Sequence, residues 1–309
     1  KGDPKNMSAE EIKEALLKSG VWPFIRQRPF DHVANPGDTP KAVFISLFDT
    51  APLAPDYAFV LKDKLTLFQT GLDALAVLTG GKKIHIGYHP GKSDTEFVSG
   101  LSGVETHAFK GSHPAGNTGV QIHHIDPINK GEIVWVVNPQ DVLVIGRLFA
   151  EGVFNPERII ALAGSEILKP KYYLTQVGAS IKGIVDGNLA GRNNRYISGN
   201  VFTGKKISRE GYIGFYDSLV SVIPEGNTFE FLGWAMPGFN KFSFSRTFFS
   251  WLTPKKAYRL DTNLHGGHRA FVFTGDYEKV LPMDILPIQL MKAILVEDID
   301  LMENLGIYE

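Results

Sequence analysis

Apolar and polar positions repeat with two different periods along this chain, and the change of period divides it. Ser8 and Glu11 have the spacing of a capping box, in which a serine hydroxyl and a glutamate three residues later satisfy the free amides of a helix start. Ile12, Leu16 and Leu17 supply the apolar stripe that follows, and Gly20 ends the helix. After a polar, proline-rich stretch from Arg28 to Pro40, residues 42–48 form a continuous apolar run of the kind buried on both faces of a sheet. A helix through Leu72–Leu78 ends at Gly80 and Gly81, and residues 83–88 read as a second strand. Strand, helix, strand is a βαβ unit. It recurs with residues 104–109, a helix after His113 and Pro114, a strand at 133–137, and a helix opened by Asn138 and Pro139 as cap and first-turn proline. Residues 41–164 therefore predict an α/β domain with a Rossmann-like open sheet, mostly parallel, closed by the run Arg158–Ala163.

Beyond Pro170 the period shortens. Alternating segments at 172–177, 195–198, 218–223 and 229–234 are separated by glycine and asparagine, which predicts a small α+β module, and helix returns over 290–305. The expected organisation is a Rossmann-like domain with its N-terminal helix over 1–165, a small module over 166–224, and an aromatic-rich C-terminal region over 225–309.

Composition narrows the function classes. The basic and acidic residues number 32 and 33 and are interspersed, giving a net charge of −1, so no global field draws the chain to nucleic acid or anionic lipid. The longest apolar runs fall short of the roughly 20 residues that cross a bilayer. With no cysteine, the chain holds no iron–sulfur cluster, thiolate metal site or disulfide, and fits a reducing cytoplasm. The start at Lys1 without a methionine, and the stop at Glu309 just after a helical pattern, suggest a piece of a longer polypeptide.

Candidate chemistry is sparse. A dinucleotide needs a glycine-rich turn after the first strand, whose amides approach the phosphates. The corresponding residues, Asp49–Pro55, contain two prolines and no glycine, so no nucleotide is expected there. The Gly111–Gly116 turn opens a helix and reads as a structural turn. Histidines gather at His113, His123 and His124 near Asp126, and at His265 and His268, without the spacing of a metal motif; they read as structural or exposed, and no metal is expected. No nucleophile elbow, phosphate loop or catalytic carboxylate pair stands out, so no catalytic residue is assigned. The most unusual stretch is Phe229–Arg259, where Phe231, Trp234, Phe239, Phe242, Phe244, Phe248, Phe249 and Trp251 lie among Lys241, Arg246, Lys255, Lys256 and Arg259. Such a mixture can hold a flat ring or dock a partner. The competing reading is a hairpin whose alternate aromatics fill a core, since 241–246 alternate with period two. Trp234, Lys241 and Arg246 remain the functional candidates.

Several strings, taken together, carry a resemblance. Ser19–Trp22 with Arg28–Phe30, His113–Gly116, Arg195–Gly199, Phe231–Gly238 with Asn240–Ser243, and Tyr277–Asp284 occur in an order that resembles the A subunit of the bacterial sodium-translocating NADH:quinone reductase, over essentially the whole chain. The resemblance implies a peripheral subunit on the cytoplasmic face of the inner membrane, partnered by the other subunits and especially a membrane-embedded one. NADH, flavins and iron–sulfur centres would belong to those partners. The family is similar in fold to the flavin-carrying subunit of respiratory complex I, which makes residues 166–224 a ubiquitin-like soluble-ligand-binding module by analogy. It also implies a part in quinone binding and reduction, at the step from ubisemiquinone to ubiquinol, coupled to sodium export. An apolar slot, a stacking ring and donors for quinone carbonyls are available in Trp234, Phe242, Lys241 and Arg246, with His113 as a second donor. The alternative is a purely structural docking subunit with no ligand site of its own.

Overall fold

The capping box forms as its spacing requires. Ser8 Oγ accepts from the Glu11 amide at 3.3 Å and Glu11 Oε2 accepts from the Ser8 amide at 2.8 Å, opening α1 (Ala9–Ser19), which Gly20 closes in the left-handed region at φ 77°. The structure, a computed structural model, describes residues 2–93, 95–243 and 245–309. After α1 come β1 (Ile25–Arg28), β2 (His32–Val33), β3 (Val43–Ser46), α2 (Tyr57–Val60), α3 (Leu65–Leu78), β4 (Ile84–Tyr88), α4 (Thr95–Ser99), β5 (Glu105–Ala108), α5 (Thr118–Ile125), β6 (Val134–Val137) and α6 (Pro139–Glu151). Then follow β7 (Glu157–Ala163), β8 (Lys171–Gln176), α7 (Lys182–Val185), β9 (Asn194–Ser198), β10 (Lys205–Ile207), β11 (Leu219–Pro224), α8 (Pro287–Leu295) and α9 (Ile299–Asn304). The chain up to Arg158 forms one compact unit together with Phe271–Glu309, and Ile159–Ala270 form a second. Residues 166–224 and 225–270 thus share the second unit, whereas 271–309 group with the first.

The first unit is built on an open sheet in the order β2-β1-β6-β3-β4-β5. The pairs β6–β3, β3–β4 and β4–β5 are parallel, and β1 and β2 add antiparallel strands at one edge. Every residue of β3 is buried, as the continuous apolar run demands. Trp22 and Trp135 meet edge to face at 5.7 Å, and each indole N–H finds an acceptor, Ala34 O at 2.6 Å and Gln27 Oε1 at 3.2 Å. Helices α3 and α6 approach so closely that backbone lies where side chains would normally stand. A Cβ on Gly71 would strike the Val142 carbonyl, and one on Gly146 the Leu67 carbonyl.

The structure differs from three sequence expectations. The run Arg158–Ala163 does not close the first sheet; as β7 it enters a second, mixed sheet ordered β10-β9-β11-β7-β8, where it pairs parallel with β11. An apolar run reports that a strand is buried but not beside which partner. Here Ile160 and Leu162 pack with Ile181, Val185, Val220 and Val222, while the buried Arg158 pairs with the buried Asp141 of α6. Residues 229–234 and 241–246 form no strand or hairpin among the described residues; the segment after β11 carries only 3-10 turns at Gly233–Ala235 and Phe249–Leu252. Gly238 and Arg246 adopt left-handed φ values of 61° and 57°, which interrupt an extended ladder. The helical stretch at 290–305 is likewise two helices, parted where Glu297 turns left-handed at φ 58°.

Two carboxylates hold this poorly buried segment to the second sheet. Glu166, with no accessible side-chain surface, takes a two-pronged bond from Arg259 at 2.6 and 2.8 Å. Glu225, just past the end of the last strand, accepts from Arg195 of β9, from Lys206 of β10 at 2.7 Å and from Thr262 Oγ1 at 3.1 Å.

Gly146→Ala is expected to cost about 1–3 kcal/mol of stability by forcing α3 and α6 apart, read as a lowered midpoint in denaturant. The bonds from Arg195 and Lys206 hold the Glu225 carboxyl at a pKa of about 2, down from its ordinary 4.5, against the opposing effect of burial. Its folded value lies below the unfolded one, so its contribution to stability is present above pH about 4.5 and fades as pH falls toward about 2. Glu225→Gln should therefore lower the melting temperature at neutral pH, with the gap to the parent closing across that acidic window.

Candidate functional site

The aromatic-basic segment folds back on itself around an open cavity of about 250 Å³ in the second unit. Trp234 reaches it from the 3-10 turn at Gly233–Ala235, Phe229 and Glu230 from the preceding extended stretch, Lys241 and Phe248 from the return, and Asn263–Gly266 from the far side. Lys241 fixes the geometry. Its ammonium pairs with Glu230, donates to the Gly233 carbonyl at 2.8 Å and lies 5.4 Å from the Phe248 ring centre. The opposite wall is set by Asp261, which accepts from the Asn263 amide at 2.9 Å and lies 3.2 Å from His265 Nε2. Burial pushes the Asp261 carboxyl up, and the bonds from Asn263 more than offset this, leaving it below the usual carboxylate range.

The cavity thus combines aromatic faces with a cationic donor, a carboxylate acceptor and an amide, and its rings are unusually exposed. Phe229 keeps 99% of its surface and Trp234 72%. Phe231, Met236, Phe239 and Phe242 are also exposed. This is a contiguous stretch of sequence whose large apolar side chains do not enter a core, unlike the hairpin alternative.

Of the five candidate residues, Trp234 and Lys241 line the cavity. Phe242 packs edge to face on Tyr258 at 5.7 Å and Arg246 is exposed, both outside its lining. His113 lies in the first unit, where its Nδ1 is 3.1 Å from Thr50 Oγ1. Phe244 lies outside the described residues. Glu230 and Asn263 are not legible in the sequence, because their part in the wall depends on a turn that brings positions eleven and more apart together. His265, which reads as structural in the sequence, also reaches the wall. His123 and His124 serve packing: His123 accepts from the Asp284 amide at 3.0 Å and meets Glu309 at 2.5 Å, and His124 meets the Pro282 carbonyl at 2.8 Å.

At the carboxyl ends of β3 and β4, where open α/β sheets bind nucleotides, the loop after β3 carries two prolines and no glycine. Asp49 Oδ1 takes the Ala51 amide at 2.8 Å, Ala51 O takes the Ala54 amide at 3.2 Å, and Pro52 and Pro55 have none to offer. Gly116 presses against Thr50, to whose Oγ1 its amide donates at 3.0 Å. The cavity beside Leu47, Tyr57 and Phe97 amounts to about 10 Å³, barely room for one water. Among the described residues no helix is long and apolar enough to cross a membrane.

Comparison with known proteins agrees with this architecture. Residues 7–154 match the family model of the NqrA second alpha/beta domain, and residues 159–209 that of the NQRA C-terminal domain. Among solved structures, the NAD+-reducing [NiFe]-hydrogenase in the H2-reduced state is similar at a TM-score of 0.50 and 11% identity, covering 72% of this chain and 47% of that one, a likeness of fold alone. The A subunit of the Na+-translocating NADH-quinone reductase of Yersinia pseudotuberculosis is 40% identical over 304 residues, covering 98% of this chain and 67% of the relative. That of Neisseria meningitidis serogroup B is 40% identical over 305 residues, covering 98% and 68%, and that of Rhodopirellula baltica 39% over 311, covering 99% and 67%. With two domain models matched in order and such identity along nearly its whole length, the chain belongs to the family of the A subunit of the Na+-translocating NADH-quinone reductase.

Proposed function

We propose that the chain is the part of a sodium-translocating NADH:quinone reductase subunit that contacts quinone, and that the cavity at Trp234 and Lys241 receives the quinone headgroup. The observation that carries this reading is the meeting of an exposed indole and a positioned ammonium in one cavity. A quinone is a flat, apolar ring with two carbonyl acceptors; it stacks on an aromatic face and takes hydrogen bonds from one or two donors. Lys241, Asn263 and His265 supply donors, while Glu230 neutralises the ammonium and keeps it in place. The chain works at the cytoplasmic face of the inner membrane beside the other subunits, which carry NADH, flavins and iron–sulfur centres. The residues after β3, with prolines and already bonded amides in place of a phosphate loop, support leaving the nucleotide to those partners.

A second reading is favoured by the exposure of Phe229, Phe231, Met236 and Phe239, which lie on the same segment and suit a docking face for a membrane-embedded subunit.

Titration with a short-chain soluble ubiquinone should quench tryptophan fluorescence saturably. Trp22 and Trp135 are buried and the half-exposed Trp251 lies outside the cavity lining, so Trp234→Phe should remove most of the quench, and Lys241→Met should weaken binding about tenfold, or about 1.4 kcal/mol. Absence of saturable quenching would remove the quinone reading. Loss of complex assembly in Trp234→Ala or Arg246→Ala, with quinone affinity unchanged, would establish docking instead.

A further inference from the structure

A group of metal-competent side chains stands in the first unit, on strands that take no part in the cavity above. His85 lies on β4, and Glu105 and His107 on the edge strand β5. The register pairs His85 with Glu105 and Gly87 with His107, and residues two apart on a strand share a face, so all three side chains rise from one side of the sheet. His85 is buried at 3% exposure against the Phe44 ring, 4.8 Å away. Its Nδ1 lies 3.0 Å from His107 Nε2 and 3.5 Å from Glu105 Oε2, and the three ligand atoms fall within 4.8 Å of one another.

We propose that His85, His107 and Glu105 bind one divalent transition cation of the zinc class, which clips the edge strand β5 to β4. Two ligands about 2.1 Å from a tetrahedral ion stand about 3.4 Å apart, so the two imidazole nitrogens, now 3.0 Å apart, need to part by only a few tenths of an ångström to admit one. Two imidazoles and a carboxylate form a donor set that suits zinc, nickel and cobalt and is poorly matched to calcium or magnesium. The carboxylate is already oriented toward the ion, because Lys83 holds Oε1 at 2.9 Å and leaves Oε2 turned toward His85. An outer-shell partner of that kind fixes the ligand it touches. Glu105 is half exposed at the sheet edge, so the ion can reach the site from solvent, and water completes the coordination.

The register explains why the site is hidden in the sequence. Glu105 and His107 are separated by one residue and His85 by about twenty, a spacing that becomes a triad only when β4 and β5 pair in parallel. The metal site stands whether or not the cavity at Trp234 takes a quinone.

The test uses the 309-residue chain without an affinity tag, stripped of metal and titrated with Zn2+ by calorimetry, then with Co2+ followed by its visible absorption. One equivalent of Zn2+ is expected to bind and raise the melting temperature, and Co2+ to develop ligand-field bands of an imidazole-carboxylate site. His107→Ala and Glu105→Gln, both at the sheet edge, should weaken binding by about tenfold or more, whereas His123→Ala, in the histidine pair of α5, should leave it unchanged. Failure to bind one equivalent, or affinity retained in His107→Ala, would overturn the site and leave the two imidazoles as a plain N–H···N pair. Loss of binding in His123→Ala, with His107→Ala unaffected, would overturn it by moving the ion to α5.

Discussion

A carboxylate without solvent is stable only while its partner stays in place, and the second unit depends on that rule. Glu166 has no accessible side-chain surface, and its charge is met by Arg259, ninety-three residues further on, whose own side chain is mostly exposed. The two-pronged bond from Arg259 both covers the Glu166 carboxylate and holds it below the ordinary carboxylate range, so losing Arg259 would uncover the charge and release the segment together. Glu225 repeats the device at the other end of the segment, gathering β9, β10 and Thr262. Between these two anchors the chain can leave Phe229, Phe231 and Trp234 in water, because its path is set by charge and not by a core. The cavity is therefore a consequence of electrostatic tethering.

The first unit reaches rigidity by the opposite route. Its central strand is buried along its whole length, and its two main helices touch through glycine where any side chain would strike a carbonyl. Close packing of this kind leaves few alternative arrangements. It gives a firm platform at the sheet edge, where β4 and β5 present His85, Glu105 and His107 to one another. On the same platform the loop after β3 carries two prolines and no glycine, and its Ala51 and Ala54 amides are taken by Asp49 and by the Ala51 carbonyl.

What could be read from residues alone follows from how local each signal is. The capping box of Ser8 and Glu11, the buried run at β3 and the Asn138–Pro139 helix start are decided within a few residues, and each stands where the pattern put it. The pattern misplaces β7 because its apolar run, Ile159 to Ala163, declares burial without naming β11 as its partner. The alternation at 241–246 imitates a hairpin, but no second strand answers it among the described residues, and Lys241 is drawn instead to Glu230. Trp234 and Lys241 are legible as unusual chemistry; Glu230, Asn263 and the His85 triad are not, because each depends on a contact that only the folded chain makes.

The first unit is interrupted by the second and resumes at Phe271, and this bears on the order of events during synthesis. Its late residues return to α5 and the loop after it: Glu309 meets His123 across 186 positions, Lys130 reaches Glu303 across 173, and His124 meets the Pro282 carbonyl. None of these contacts can exist until everything between has left the ribosome. The inserted unit is contiguous and holds nearly all of its own ladder partners, so it can settle while the unit that encloses it still waits for its last turn. A nascent chain stalled after Ala270 would carry a finished insert within an open host, with α5 still lacking the residues that cover it.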